Sequence, residues 1–187
     1  MKSVRGLTVL ITGGAMGLGR LFAERAIFER AAAVILWDVN ESALNETLVE
    51  LSDGPTAVSG YVVDLADRER IASAAAEVLA EHDHIDVLIN NAGIVRGNEY
   101  FWECDPVGDT LATIAVNTLA PMYVTHAFLP SMIAAAGQTR LINLASAAGF
   151  TANPRMAAYA ASKWAVVGWS DSVRLELKQA GVEHVRV

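Results

Sequence analysis

The chain is expected to fold as an α/β protein built on a doubly wound parallel sheet, and three observations predict it. Short apolar runs suited to buried strands alternate five times with longer stretches of helical periodicity, the pattern that packs helices on both faces of a parallel sheet through right-handed crossovers. Hydrophobic residues make up 53% of the 187 positions and the mean hydropathy is +0.33, as strands covered on both faces and Ala-rich helices demand. The first run, Leu7 to Thr12, passes directly into Gly13-Gly14-Ala15-Met16-Gly17-Leu18-Gly19-Arg20, which reads as a strand, a glycine turn and a helix start.

Taken in order, the elements carry their own justification. Thr8 is the one polar residue inside the first strand, and Leu21, Phe22 and Ala26 then share a helical face. A glycine turn that opens a helix lets backbone approach where a Cβ would block it, and aims N–H groups and the positive dipole end at one point. That suits a pyrophosphate. The spacing Gly13-x-x-x-Gly17-x-Gly19 departs from the literal G-x-G-x-x-G dinucleotide fingerprint, so alone the turn is equally a tight strand–helix connection.

Ala33-Val34-Ile35-Leu36-Trp37-Asp38 reads as a second buried strand ending on a carboxylate. Asp38 lies nineteen residues after Gly19, where a Rossmann-like fold places the acid that binds a ribose. The alternative is an aspartate starting a turn, with Asn40 capping the next helix. That helix carries Leu44, Leu48 and Leu51 on one face. Val58–Val63 forms a third strand running to Asp64-Leu65, and Ile71, Ala74, Ala75, Val78 and Leu79 mark a regular amphipathic helix. Asp86 to Ile89 is a fourth strand entering Asn90-Asn91-Ala92-Gly93.

Residues 94–106 read as a loop edged by Tyr100, Phe101 and Trp102, and a helical stretch of roughly 107–136 contains Asn117. Between Leu111 and Thr139 only His126 can carry charge, but Asn117, Pro121, His126 and Pro130 punctuate the stretch. A buried helix at a subunit contact is expected there rather than a membrane span. Leu141–Ser146 is the fifth strand with Ser146 at its carboxyl end, followed by a helix from about Met156 to Ala180 that Gly181 stops. Gly13, Asp38, Asp64, Asn91 and Ser146 thus fall at strand ends, where such sheets bind ligands.

Composition excludes several classes. The net charge of −7 with no basic run argues against nucleic acid. A single cysteine, Cys104, forms no intrachain disulfide and fits a reducing, cytoplasmic setting. Met1-Lys2-Ser3-Val4-Arg5-Gly6 is too short and polar for a signal sequence. One domain over 1–187 is expected, incomplete at its carboxyl end, because His184-Val185-Arg186-Val187 starts a sixth strand and the sequence stops.

The chemistry concentrates near Tyr159-Ala160-Ala161-Ser162-Lys163, which puts a phenol and an ammonium on one helical face. A tyrosine titrates near pH 10, and a neighbouring cation lowers that value toward useful proton transfer. Ser146 offers a hydroxyl for a substrate oxygen. In isolation the first pair reads rather as an ordinary surface pair and the second as merely a loop serine.

Together these motifs resemble the short-chain dehydrogenase/reductase family from about residue 5 to the end. Thr12 to Gly19 matches its TGxxxGxG turn, Asn90-Asn91-Ala92-Gly93 its NNAG segment, and Asn117, Ser146, Tyr159 and Lys163 follow the order of its catalytic tetrad, Ser146 thirteen residues before Tyr159. The resemblance implies an oxidoreductase passing hydride between a nicotinamide and an alcohol or ketone. In it Tyr159 is acid/base, Ser146 holds the substrate oxygen, Lys163 lowers the Tyr159 pKa and binds the nicotinamide ribose, and Asn117 anchors a water. An amide bonding to backbone is the alternative for Asn117.

Gly13, Met16, Gly17, Leu18, Gly19, Asp38, Asp64, Leu65, Asn91, Ala92 and Gly93, with Tyr159 and Lys163, are then the cofactor residues, Asp64 on adenine; no metal site is implied. Asp38 accepts from a ribose 2′-OH and repels a 2′-phosphate, and no Lys or Arg stands at Gly14, Ala15, Met16 or Val39, so NAD(H) is favoured over NADP(H). Phe150, Met156, Ile94 and Val95 suggest an apolar substrate, with core packing as the alternative. The Leu36-Trp37-Asp38-Val39-Asn40 segment is similar to the branch of retinol and hydroxysteroid dehydrogenases, and the family's association through helices carrying Asn117 and Tyr159 implies a homodimer or homotetramer. An NADPH-dependent 3-oxoacyl reductase, or a nucleotide-binding module without turnover, are the alternatives.

Overall fold

In a computed structural model that describes residues 3–187, strand β1 (Thr8–Thr12) leads into helix α1 (Gly17–Phe28), β2 (Ala33–Asp38) into α2 (Glu41–Leu51), and β3 (Ala57–Val62) into α3 (Arg68–Glu81). Strand β4 (Val87–Asn90) enters an irregular segment and then a long helical run. That run consists of a π-helical turn (Pro106–Leu111), the short α4 (Ala112–Ile114), a second π-helical stretch (Ala115–Leu119) and α5 (Ala120–Ala134). Strand β5 (Thr139–Asn143), a 3-10 turn (Ala147–Gly149), α6 (Ala157–Gln179) and β6 (Val185–Arg186) complete the order. Met1 and Lys2, on which part of the argument about a leader rests, lie outside the described residues.

All six strands pair in parallel in the order β3-β2-β1-β4-β5-β6. The winding reverses between β1 and β4, and a sheet of this kind opens its ligand crevice beyond the carboxyl ends at that switch point.

Side chains alternate across the sheet, and the two faces bury separate cores. Leu10, Ile35, Trp37 and Leu88 face α3 and α5, packing with Ile71, Val78, Val124 and Phe128. Val9, Ile11, Val34, Leu36 and Ile89 face the other way onto Ala23, Ala26 and Leu44. Each fully buried aliphatic side chain contributes about 1.5–3 kcal/mol, so the central strands β1 and β2 carry much of the stability. Trp37 packs on Phe128 with ring centroids 5.7 Å apart.

The expected elements are present, with informative shifts. Asn40 caps α2 by accepting from Ala43 N at 3.1 Å. Gly181 (φ +74) ends α6 through Gly181 N to Lys178 O and Val182 N to Leu177 O, the paired bonds of a glycine-closed helix end. Strand β5 stops at Asn143, so Ser146 stands three residues past the strand rather than on its last position. The expected uniform helix over 107–136 is instead 106–134, interrupted by the two π-helical segments. Its α5 portion buries Val124, Thr125, Phe128 and Met132. No helix among the described residues is long and apolar enough to cross a membrane.

Candidate active site

A cleft of about 420 Å³ opens where the expected cofactor residues converge. The glycine turn contributes Gly13, Met16 and Leu18; the end of β2 gives Asp38 and Val39; the segment after β3 gives Val63, Asp64 and Leu65. Beyond β4, Asn91, Ala92, Gly93 and Ile94 close the opposite wall, with Val116 from the second π-helical stretch. Gly17 and Gly19, in the first turn of α1, do not line it.

The turn is shaped by contacts a side chain would destroy. Gly17 adopts φ +56, left-handed backbone that costs an ordinary residue about 1–2 kcal/mol. A Cβ on Gly19 would overlap the Gly13 carbonyl oxygen and sit 2.7 Å from Asn91 Nδ2. Met16 stands at the N-cap of α1 with no side-chain cap bond, so no side chain occupies the positive end of the helix dipole.

Asn91 holds the turn to β4: its Nδ2 donates to Thr12 O at 2.9 Å and Gly13 O at 3.1 Å. Thr12 Oγ1 answers by accepting from Asn91 N and Ala92 N at 3.1 and 3.2 Å. Asp38 is 9% exposed, accepting from Ala15 N through Oδ2 and from Asn40 N through Oδ1, both at 3.0 Å. Thr47 Oγ1 donates to Ala15 O at 2.8 Å. Asn40 therefore caps a helix as the turn reading expects, and Asp38 lines the cleft while bracing the glycine turn.

None of the four expected catalytic residues lines this cleft, but Asn117 and Lys163 adjoin it. Gly93 joins the two regions, because a Cβ there would stand 3.4 Å from Asn117 Oδ1 and 3.5 Å from Lys163 Nζ. Asn117 is buried in the second π-helical stretch, and its side chain is committed to protein partners. Its Nδ2 donates to Ile94 O at 2.8 Å and Ser162 Oγ at 3.1 Å, and its Oδ1 accepts from Ile94 N at 2.8 Å. The backbone-bonding alternative thus describes its side chain. Ser162 Oγ in turn donates to Tyr159 O at 2.6 Å.

Lys163 is 5% exposed, donates to Leu144 O at 2.7 Å, and stands 5.8 Å from the centroid of the half-buried Tyr159 ring. Ser146 Oγ accepts from Ala148 N at 3.2 Å, capping the 3-10 turn. A hydroxyl that accepts one bond keeps its own O–H to donate.

Burial holds the Lys163 amine below the ordinary lysine value of 10.5, because desolvation penalises its charged form. Between that lowered value and 10.5 the unfolded chain binds more protons than the folded one, so stability rises with pH through this window. Urea unfolding of wild type and Lys163→Met from pH 7.5 to 10.5 should show a steeper rise for wild type. Parallel slopes would contradict the burial argument.

The chain can now be set beside known proteins. A family model described as short chain dehydrogenase matches residues 7–187. The chain belongs to the short-chain dehydrogenase family. Estradiol 17-beta-dehydrogenase 11 of Pongo abelii is 38% identical over 185 residues, covering 99% of this chain and 60% of that protein. Epidermal retinol dehydrogenase 2 of Mus musculus is 38% identical over 187 residues, covering 97% of this chain and 59% of the relative. The chain thus stands near the hydroxysteroid and retinol dehydrogenase branch and spans about 60% of the length of these curated relatives. A metagenomic short-chain oxidoreductase solved with NADP superposes with a TM-score of 0.90 at 34% identity, covering 100% of this chain and 80% of the other.

In this short-chain dehydrogenase the sequence also held site residues that were not singled out. Thr12 and Ser162 lie inside quoted motifs, and their hydroxyls tie those motifs to Asn91 and Asn117. Val39, Val63 and Val116 line the cleft, and only their positions beside Asp38, Asp64 and Asn117 could have marked them. Ile94, read as a substrate-side residue, lines the same cleft as the cofactor residues.

Proposed function

We propose that this dehydrogenase moves a hydride between NAD(H) and an apolar alcohol or ketone, with Tyr159 as the acid/base. The observation that carries the reading is the continuity at Gly93, which lines the glycine-turn cleft and adjoins Lys163 and Asn117. A turn that tolerates no Cβ at Gly19, a helix start with no side-chain cap, and a carboxylate in the same cleft fit a dinucleotide.

The bound nicotinamide supplies the hydride chemistry itself. The residues of the chain handle the proton and the developing charge. The Tyr159 hydroxyl, which bonds to no side chain or backbone group among the described residues, would pass its proton to the substrate oxygen in reduction and take it back in oxidation. Ser146 would donate its spare O–H to that same oxygen. The Lys163 ammonium spends one donor on Leu144 O and keeps two for a ribose hydroxyl and for negative charge on the phenol oxygen. With the Asn117 side chain committed, its part in proton exchange with solvent would fall to its backbone carbonyl.

Asp38 underlies the preference for NAD(H): a 2′-phosphate would meet a carboxylate in a half-enclosed cleft. The names of the relatives, estradiol and retinol dehydrogenases, and the exposed Phe150 after Ser146 support an apolar substrate. Exposed Tyr123, Trp164 and Leu175 on α5 and α6 support a homo-oligomer formed through those helices. A cytoplasmic setting remains part of the proposal on the single cysteine.

The test is a titration of the chain with NADH and NADPH, read by energy transfer from its four tryptophans to the nicotinamide. Saturable binding with NADH at least about tenfold tighter is expected, a difference of about 1.4 kcal/mol. Equal or tighter NADPH binding would overturn the role given to Asp38. Binding of neither would overturn the cofactor assignment.

A further inference from the structure

We propose that Asn143 and Ser170 are positioning residues that lock helix α6 to the end of β5, setting Tyr159 and Lys163 against Ser146; the inference rests on the acid–base reading above. Four side chains from four elements form the lock. Asn90 and Asn143 are paired neighbours at the ends of β4 and β5. Asn90 Nδ2 donates to Thr125 Oγ1 on α5 at 3.0 Å and to Asn143 Oδ1 at 2.8 Å, and Asn143 Nδ2 donates to Ser170 Oγ on α6 at 2.9 Å.

The geometry makes this more than a stabilising cluster. Ser170 follows Lys163 by seven residues, two turns along the same face of α6. Asn143 immediately precedes Leu144, whose N–H donates to Asn90 O at 2.9 Å and whose carbonyl accepts from Lys163 Nζ at 2.7 Å. The helix is therefore tied to one short stretch of chain, 143–144, at two points two turns apart. Asn117 and Thr118 also hold α6 at Ser162, beside Lys163, so the Ser170 bond is the tie that fixes the helix two turns further on. Ties at both places oppose both rotation and a slide of one residue, about 1.5 Å. Ser146 leaves the same stretch two residues later, so its distance to Tyr159 is set by this double attachment.

A second feature points the same way. Asn90 Oδ1 is buried without a hydrogen-bond partner among the described residues, which costs about 1–3 kcal/mol. The amide is held in the orientation that gives both its N–H donors to the lock.

The decisive variant is Ser170→Ala, with Ser170→Thr as the conservative partner. In Ser170→Ala, kcat should fall about tenfold or more, because small displacements of reacting groups are expensive, while NADH affinity stays within about twofold. NMR titration of the labelled lysine side chains should show the Lys163 amine moving up toward an ordinary lysine, and Ser170→Thr should restore both readouts. If Ser170→Ala folds poorly, Ser170→Cys, of similar size and weaker bonding, should show the same changes in smaller measure. An unchanged kcat and an unchanged Lys163 titration would overturn the proposal, as would a lowered melting temperature with both untouched. The titration decides the matter whatever the turnover. Failure of the underlying chemistry reads differently, as turnover that survives Tyr159→Phe.

Discussion

Replacing Tyr159 by Phe should lower turnover by about three orders of magnitude, within the range removed when a positioned acid/base is lost, and leave NADH affinity within about twofold. The two halves of this expectation have separate physical sources. The phenol oxygen is the only atom removed, and it bonds to nothing among the described residues, so no buried partner is stranded. The ring that stands 5.8 Å from Lys163 Nζ remains, as does the Lys163 bond to Leu144 O. Stability should therefore move by no more than about 0.5 kcal/mol. Turnover has no such protection, since Ser146 has a proton to share in a hydrogen bond but bonds to no cation among the described residues that would favour giving it up. The measurement is the rate of NADH formation from an alcohol, alongside the tryptophan-to-nicotinamide titration and a melting curve. Near-normal turnover in a folded variant would remove Tyr159 from the mechanism. Loss of both turnover and binding would assign it a role in holding the cofactor instead.

How much of this was legible in the sequence depends on what each residue answers to. Strand β2 was readable to the residue because Ala33–Asp38 is buried along its whole length, so composition and burial say the same thing. The glycine turn was readable because steric exclusion leaves a direct imprint: only glycine fits beside the Gly13 carbonyl. Strand β5 was read too long because Leu144 and Ala145 are apolar, but a strand ends where its neighbours end. Strand β4 turns away after Asn90, which pairs with Asn143. The π-helical stretch around Asn117 had no compositional mark, since its five residues span little more than one turn, too few for a changed period to register. For the same reason the partners of Asn117, Ile94 and Ser162, twenty-three and forty-five residues away, were beyond any local pattern. Asn90 was noticed only as part of a motif, and its reach to Thr125 and Asn143 exists only once three elements are assembled.

Gly19→Ala should abolish measurable NADH binding, weakening it at least about a hundredfold, and destabilise the chain by about 1–2 kcal/mol. Helix propensity alone predicts the opposite sign, because Gly19 lies in the first turn of α1 and alanine is favoured over glycine in a helix by about 1 kcal/mol. Steric exclusion outweighs it. The added Cβ would overlap the Gly13 carbonyl oxygen and approach Asn91 Nδ2 to 2.7 Å, so the turn must move away from α1. Asn91 bonds to both Thr12 O and Gly13 O, and Asp38 bonds to Ala15 N within the same turn. A shift there therefore disturbs both walls of the cleft at once, and overpacking of this kind typically costs 1–3 kcal/mol. Gly137→Ala supplies the control: a Cβ at that position meets nothing within 4 Å, so binding and stability should stay at wild-type levels. Circular dichroism on both variants separates a distorted turn from an unfolded chain. A folded Gly19→Ala that binds NADH like wild type would show that the turn does not form the cofactor site, whatever the Tyr159 variant does.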